Sequence, residues 1–178
     1  MNRLFRHIVP AWILVGIVAA PALAESPDHW LKKAQTLDKQ GFLDEAAQAW
    51  KKLATTNTNK KQAAYARLKL AGTYFKLDQF QQSIDTARSA IQADSESFDA
   101  HFHLANFLSG TGKFQEAVNT FRKTVALKPE EGLGYVGLGL CLFANRNPGE
   151  AVEVILKAAQ LFKKKKNISW HRNTRVMS

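Results

Sequence analysis

His101 and His103 are the first residues in this 178-residue chain whose chemistry could be more than packing, since two imidazoles can begin a metal site. Their spacing argues against it. Residues two apart on a helix point to different faces, and only partners three or four apart converge. Asp99, the nearest carboxylate, again stands two residues from His101. His101 is therefore predicted to pack between helices and His103 to lie on the surface. The run from Gly132 to Gly137, Gly-Leu-Gly-Tyr-Val-Gly, has the glycine spacing of a dinucleotide-binding loop. That loop needs a strand before it and a helix opening within the glycines, whereas here Pro129 closes one helix and the glycines fall inside the next. Their predicted work is close helix packing, at about 1 kcal/mol of helix propensity each relative to alanine. Cys141 is the only cysteine and sits in the apolar stretch Leu-Gly-Leu-Cys-Leu-Phe, a setting that raises a thiol pKa and makes it inert.

No other arrangement of nucleophile, base, metal ligand or phosphate loop occurs, so the sequence predicts neither an enzyme nor a cofactor. What remains is charge and apolar pattern. The formal charge is +10, but residues 25–162 hold 17 basic against 15 acidic groups. The excess lies at the ends. Arg3 and Arg6 precede an apolar run from Ile8 to Ala20, and Ala22 and Ala24 supply small residues before Glu25. This is the layout of a cleavable secretory signal, with cleavage after Ala24. The apolar run is shorter than the ~20 residues a spanning helix needs, and Pro10 interrupts it. The expected compartment is periplasmic or secreted, and one cysteine leaves no internal disulfide to stabilise the fold there. The other basic end is 163–178, with Lys163, Lys164, Lys165, Lys166, Arg172 and Arg175 and no acid.

The middle of the chain repeats. Ala46, Ser83, Ala117 and Ala151 recur at steps of 37, 34 and 34 residues, and Ala34, Ala71, Ala105 and Gly139 recur twelve residues earlier in each unit. A period in this range marks a helical repeat. Each unit carries two apolar stripes at helical spacing with a turn between them. In the third unit the first stripe runs through Phe98, His101, Leu104 and Leu108 and the second through Phe114, Ala117 and Phe121. Between them Gly110 and Gly112 are expected to take positive backbone angles that stop the first helix. Ala105 and Ala117 would let paired helices approach closely, while Leu104 and Phe121 fill the space beside them. Such a pair cannot bury both of its faces alone, so each must stack on the next.

These residues resemble the tetratricopeptide repeat family. The pattern is carried by Trp30, Ala34, Leu37, Gly41, Ala46 and Trp50 in unit one and by Leu70, Ala71, Tyr74, Phe80 and Ala90 in unit two. It continues through Leu104, Ala105, Leu108, Gly112, Phe114, Ala117, Phe121 and Pro129, then Tyr135, Leu138, Gly139, Ala151 and Ala158. The resemblance implies an all-α, right-handed α-α superhelix of four helix-turn-helix repeats, with units at about 27–60, 64–97, 98–131 and 132–162. A signal segment, 1–24, precedes the solenoid of 25–162, and a basic tail, 163–178, follows it. Where the pattern wants a turn glycine, Asp78 and Arg146 stand instead, and those turns are expected to be less sharply set. Arg67 and His101 replace a large apolar residue of the family pattern.

In this family the first helices of successive units line a groove that receives a partner's peptide. The resemblance maps that groove onto Asp28, Leu31, Gln35 and Asp38 in unit one, Tyr65, Leu68, Gly72 and Phe75 in unit two, Asp99, Phe102, Asn106 and Ser109 in unit three and Leu133, Val136, Leu140 and Phe143 in unit four, with Tyr65, Leu68, Phe75, Phe102, Asn106, Val136, Leu140 and Phe143 as the expected binding residues. Of the residues that grip a terminal carboxylate in some members only Asn106 is present, so an apolar or amphipathic segment is the expected guest. The implied function is a non-enzymatic interaction scaffold or assembly factor of the cell envelope. Two other surfaces are open to association. The last helix, expected over 148–162, ends the array uncovered and would support a homo-dimer or dock a partner. The four consecutive lysines would add ~1 kcal/mol each near an anionic membrane. This gives the alternative reading of a subunit tethered by its tail to an acidic lipid surface, with nucleic acid the weaker choice of polyanion and no metal in either case.

Overall fold

The computed structural model describes residues 26–56 and 59–175, with side chains to Lys166; the expected signal segment lies outside these residues. The described chain is all helical. Eight helices run in order: α1 (Pro27–Gln40), α2 (Leu43–Thr56), α3 (Lys60–Lys76), α4 (Phe80–Ala93), α5 (Phe98–Gly110), α6 (Phe114–Leu127), α7 (Gly132–Ala144) and α8 (Pro148–Arg175). No strand occurs among the described residues. Each helix packs on its neighbours in sequence, and the first helices of adjacent units, α3 with α5 and α5 with α7, also touch. That is the stacked-pair architecture the repeat demands.

Local signals set the helix starts. Ser26 Oγ accepts a hydrogen bond from the His29 backbone N–H at 3.2 Å, with Pro27 in the first turn. Asn59 Oδ1 accepts from the N–H groups of Lys61 and Gln62 at 3.0 and 3.3 Å, and Ser97 Oγ from that of Ala100 at 3.3 Å. The longer first step of the repeat is taken up by α3, which has 17 residues against 13 in α5 and α7. At the other end the last helix does not stop at Phe162 as expected but continues to Arg175. No proline or glycine follows Gly149, and lysine and arginine are good helix formers, so nothing breaks it.

The four turns inside the units share one geometry. Gly41, Asp78, Gly112 and Arg146 all have positive φ, at 82°, 59°, 76° and 60°. In each turn the next N–H reaches back five residues: Phe42 to the Leu37 carbonyl, Gln79 to Tyr74, Lys113 to Leu108 and Asn147 to Leu142, at 2.9 to 3.0 Å. These are closing bonds of the Schellman kind. The expectation of looser turns at Asp78 and Arg146 is thus overturned, because the packed helix pair imposes the left-handed conformation on residues that do not favour it. Gly110 is also corrected. It sits in the last turn of α5 without a positive φ, where a β-carbon would lie 2.7 Å from the Phe75 ring.

The interior follows the small residues. Ala34, Ala46, Ala71, Ser83, Ala105 and Ala117 are all fully buried. Trp50 and Leu53 with Ala66 and Leu70 make one cluster, and Ile84, Leu104, Leu108, Phe121, Leu138 and Leu142 belong to a second that runs through units two to four. The glycines of α7 act as seats within the helix. A β-carbon at Gly137 would strike Phe121, one at Gly139 would lie 2.6 Å from Ile155, and one at Gly132 would lie 2.9 Å from Phe162. Close packing, and not phosphate binding, accounts for the glycine run.

Candidate partner-binding groove

The candidate groove is built from the first helices. α3 turns Tyr65, Leu68, Gly72 and Phe75 to one side at helical spacing, α5 brings Asp99, His103 and Phe107 opposite them, and α1 contributes Asp38. Together with Lys69, Thr73 and Lys76 they wall an open cleft of about 380 Å³. Most of its surface is apolar, and Asp38, Lys69, Lys76 and Asp99 bring charge to the lining. Gly72 leaves the middle of α3 bare: a β-carbon there would have nothing within 4 Å, and its absence gives the cleft its depth.

The electrostatics are set by a few groups. Lys76 Nζ bonds Asp38 Oδ1 at 2.6 Å and so ties α3 to α1 at one end of the cleft. Lys69 lies over the Tyr65 ring, 5.4 Å from its centroid. Burial pushes the His103 imidazole below its ordinary value, Lys69 pushes it further in the same direction, and Asp99 opposes them. The site therefore favours a neutral His103 in an apolar cleft with one acid and one base beside it.

The expected site residues divide. Tyr65, Leu68 and Phe75 come together in this cleft. Phe75 is only half exposed, because its ring stacks on Phe107 at 5.0 Å, meets Phe80 at 5.2 Å and covers Gly110. Phe102 is likewise half buried, at 5.7 Å from Phe98 and 5.9 Å from Phe121, and lies outside the cleft lining. Asn106 is exposed and its amide bonds the Phe102 carbonyl of its own helix at 2.9 Å. Val136, Leu140 and Phe143 form a separate stripe on α7, the last two strongly exposed. Sequence reasoning missed Phe107 and His103 as cleft residues. Both follow Asp99 at intervals of four, the spacing that keeps residues on one helix face.

The remaining candidates are placed plainly. His101 is buried between helices, with Nε2 donating to the Ser95 carbonyl at 2.9 Å. Cys141 is buried, and desolvation raises its thiol against an opposing hydrogen bond from Ser109. The four tail lysines are exposed. Lys164 and Lys165 reach Glu130 and Glu131 at 3.3 and 3.7 Å, while Lys163 and Lys166 make no ion pair among the described residues. Among those residues no cluster of three His, Cys, Asp or Glu side chains could hold a metal ion, and no helix is long and apolar enough to cross a membrane.

Comparison with known proteins supports the same architecture. A tetratricopeptide repeat family model matches residues 31–98 and 102–165. No curated protein sequence matches the chain. Among solved structures, a crystal structure of MamA is similar at 25% identity over 82% of this chain and 84% of that one, with a TM-score of 0.74. A second MamA crystal structure matches at 25% identity over 80% and 76%, with a TM-score of 0.70. MamA from Desulfovibrio magneticus RS-1, residues 41 to the end, shares the fold at 18% identity over 79% and 77%, with a TM-score of 0.69.

Proposed function

This chain belongs to the tetratricopeptide repeat family, whose members are generally non-catalytic scaffolds for protein interaction, and we propose that it holds an apolar or amphipathic segment of a partner protein in the cleft between α3 and α5. The observation that carries this reading is the cleft's lining. Tyr65, Leu68 and Phe75 offer aromatic and aliphatic surface beside a bare glycine, with the buried Phe107 supporting the Phe75 ring, and such surfaces anchor helices and extended segments laid into grooves. Lys69, Lys76, Asp38 and Asp99 in the lining would fix the guest's register by charge. We place this binding in the cell envelope on the strength of the signal-like segment 1–24, and we assign the chain no enzymatic activity. The competing reading, tethering to an acidic lipid surface, has in its favour the exposed lysines at positions 163 and 166 that have no acidic partner among the described residues.

The test should use residues that line the cleft without holding the core. Phe75 and Phe102 are poor probes, since both pack on buried rings. A photo-crosslinking side chain at Leu68, expressed in the exporting cell, should trap one protein partner, and Gly72→Arg, which fills the cleft without removing a side chain packed on the core, should abolish that product while the circular dichroism stays helical. Trapping that survives the filled cleft, or recovery on anionic vesicles that depends on Lys163 and Lys166 alone, would reject the groove reading.

A further inference from the structure

The repeat lets each exposed residue at the end of the array be compared with its counterpart one unit earlier. Val118 in α6 is 1% exposed because α7 covers it, whereas Val152, at the same register in α8, is 61% exposed. Phe121 is 1% exposed and Ile155 38%. Val125 packs partly against the core, while Ala159 is exposed. These positions form one face of α8, and in every earlier unit that face is covered by the first helix of the next. Among the described residues α8 has no such cover.

The two ends of the array differ in a way that selects the occupant. Where a first helix packs on the unit before it, α3, α5 and α7 use Leu70, Leu104 and Leu138, and then Thr73, Phe107 and Cys141, all buried. α1 has Lys33 where the others have leucine, and Thr36 where α3 has the buried Thr73. So α1 of another copy is a poor cover, since head-to-tail stacking would bury the Lys33 ammonium with the Trp30 ring, 4.9 Å from its centroid, and no carboxylate of α1 paired to it. The outer rim of α8 changes as well. Arg88 bonds Glu116 and Arg122 bonds Glu150, each at 2.8 Å, linking successive second helices at one register. The third place in that series is Leu156, 58% exposed. The charged ladder of the solenoid ends there in an apolar residue.

We propose that this face of α8 pairs with α8 of a second copy, antiparallel, about a two-fold axis near Leu156. The orientation is the one the fold already uses, since consecutive helices of these hairpins run antiparallel. It is also the one that charge favours. The first half of α8 carries Glu150 and Glu153 with Lys157, and Lys163, Lys164, Lys165 and Lys166 follow, so an antiparallel pair about Leu156 brings Lys163 of each copy beside Glu150 of the other. A parallel pair would set like against like. An isologous contact closes on itself and leaves the α3–α5 cleft of both copies open.

Sedimentation equilibrium of the purified protein should give a dimer mass. Leu156→Glu should raise the dissociation constant at least tenfold with unchanged helicity, because the substitution is at an exposed site that supports no core. Leu156→Cys should form a disulfide-linked dimer on mild oxidation, since a residue at the axis meets its own copy, while Lys33→Cys should not join to Leu156→Cys when the two variants are mixed. A monomer at high micromolar concentration overturns the proposal, as does a dimer indifferent to Leu156→Glu. Efficient Lys33–Leu156 crosslinking would replace it with head-to-tail stacking. Gly72→Arg should leave the dimer intact, so failure of the groove reading is distinguishable from failure here.

Discussion

The Phe121 ring lies against the bare Cα of Gly137, so that α6 and α7 meet where no β-carbon could stand. Phe121 is itself buried and touches Phe102, and it has nowhere to withdraw. Gly137→Ala should therefore destabilise the protein by ~1 to 3 kcal/mol, overpacking outweighing the ~1 kcal/mol that alanine contributes to helix propensity. Gly72, inside α3 with open space around it, gives the opposite sign. Gly72→Ala should stabilise by about 0.5 to 1 kcal/mol. Urea denaturation of the two variants separates the effects, and equal signs would contradict the packing described.

The turns at Asp78 and Arg146 supply a second test. Both residues sit near φ of 60°, a conformation that costs an L-residue of this kind roughly 1 kcal/mol and glycine almost nothing. Asp78→Gly and Arg146→Gly should each raise stability by about 0.5 to 1 kcal/mol. Gly112→Ala should lower it by a similar amount. Thermal unfolding at neutral pH measures all three, and a destabilising Arg146→Gly would mean that its side chain does more than tolerate the turn.

These turns also show what could be read in advance. The pairing of helices followed from period and small residues, because Ala105 and Ala117 can only serve close approach when they recur at the same step as Ala71, Gly139 and Ala151. The sharp turns at Asp78 and Arg146 did not follow, since tertiary packing overrode local preference there. The cleft was half legible. Tyr65, Leu68 and Phe75 share a face by spacing alone, yet the depth to which Phe75 and Phe102 sink depends on glycines and rings in other helices, and no single-helix pattern carries that. The exposure of Val152 against the burial of Val118 is a comparison between identical residues, and only the stacking distinguishes them.

Ser83 occupies the place that Ala46, Ala117 and Ala151 hold in the other units, fully buried, and its hydroxyl finds no hydrogen-bond partner among the described residues. An unsatisfied buried hydroxyl costs about 1 to 3 kcal/mol. Ser83→Ala removes that cost and leaves a cavity no larger than the hydroxyl, so a stabilisation of about 1 kcal/mol is expected. Chemical denaturation should show a higher midpoint with an unchanged slope. A lower midpoint would mean that the Ser83 hydroxyl is satisfied in solution.

His103 makes the cleft sensitive to acid. Its imidazole is held below the ordinary value of 6.5, first by burial, then by Lys69, against the pull of Asp99. The unfolded chain thus binds the proton more readily than the folded one, and stability rises with pH where the two differ. The contribution is fully present above about 6.5, falls as pH drops toward the lowered folded value, and is constant below it. His103→Gln should flatten the stability profile in that window, and Asp99→Asn should steepen it by removing the one group that favours the cation. Imidazole titration followed by NMR checks the direction, and a folded value above the ordinary one would refute it. An apolar guest covering His103 would desolvate it further. By the same linkage, binding in this cleft should weaken as the pH falls below the free protein's lowered value toward the still lower value of the complex, and the His103→Gln variant should bind with little dependence on pH there.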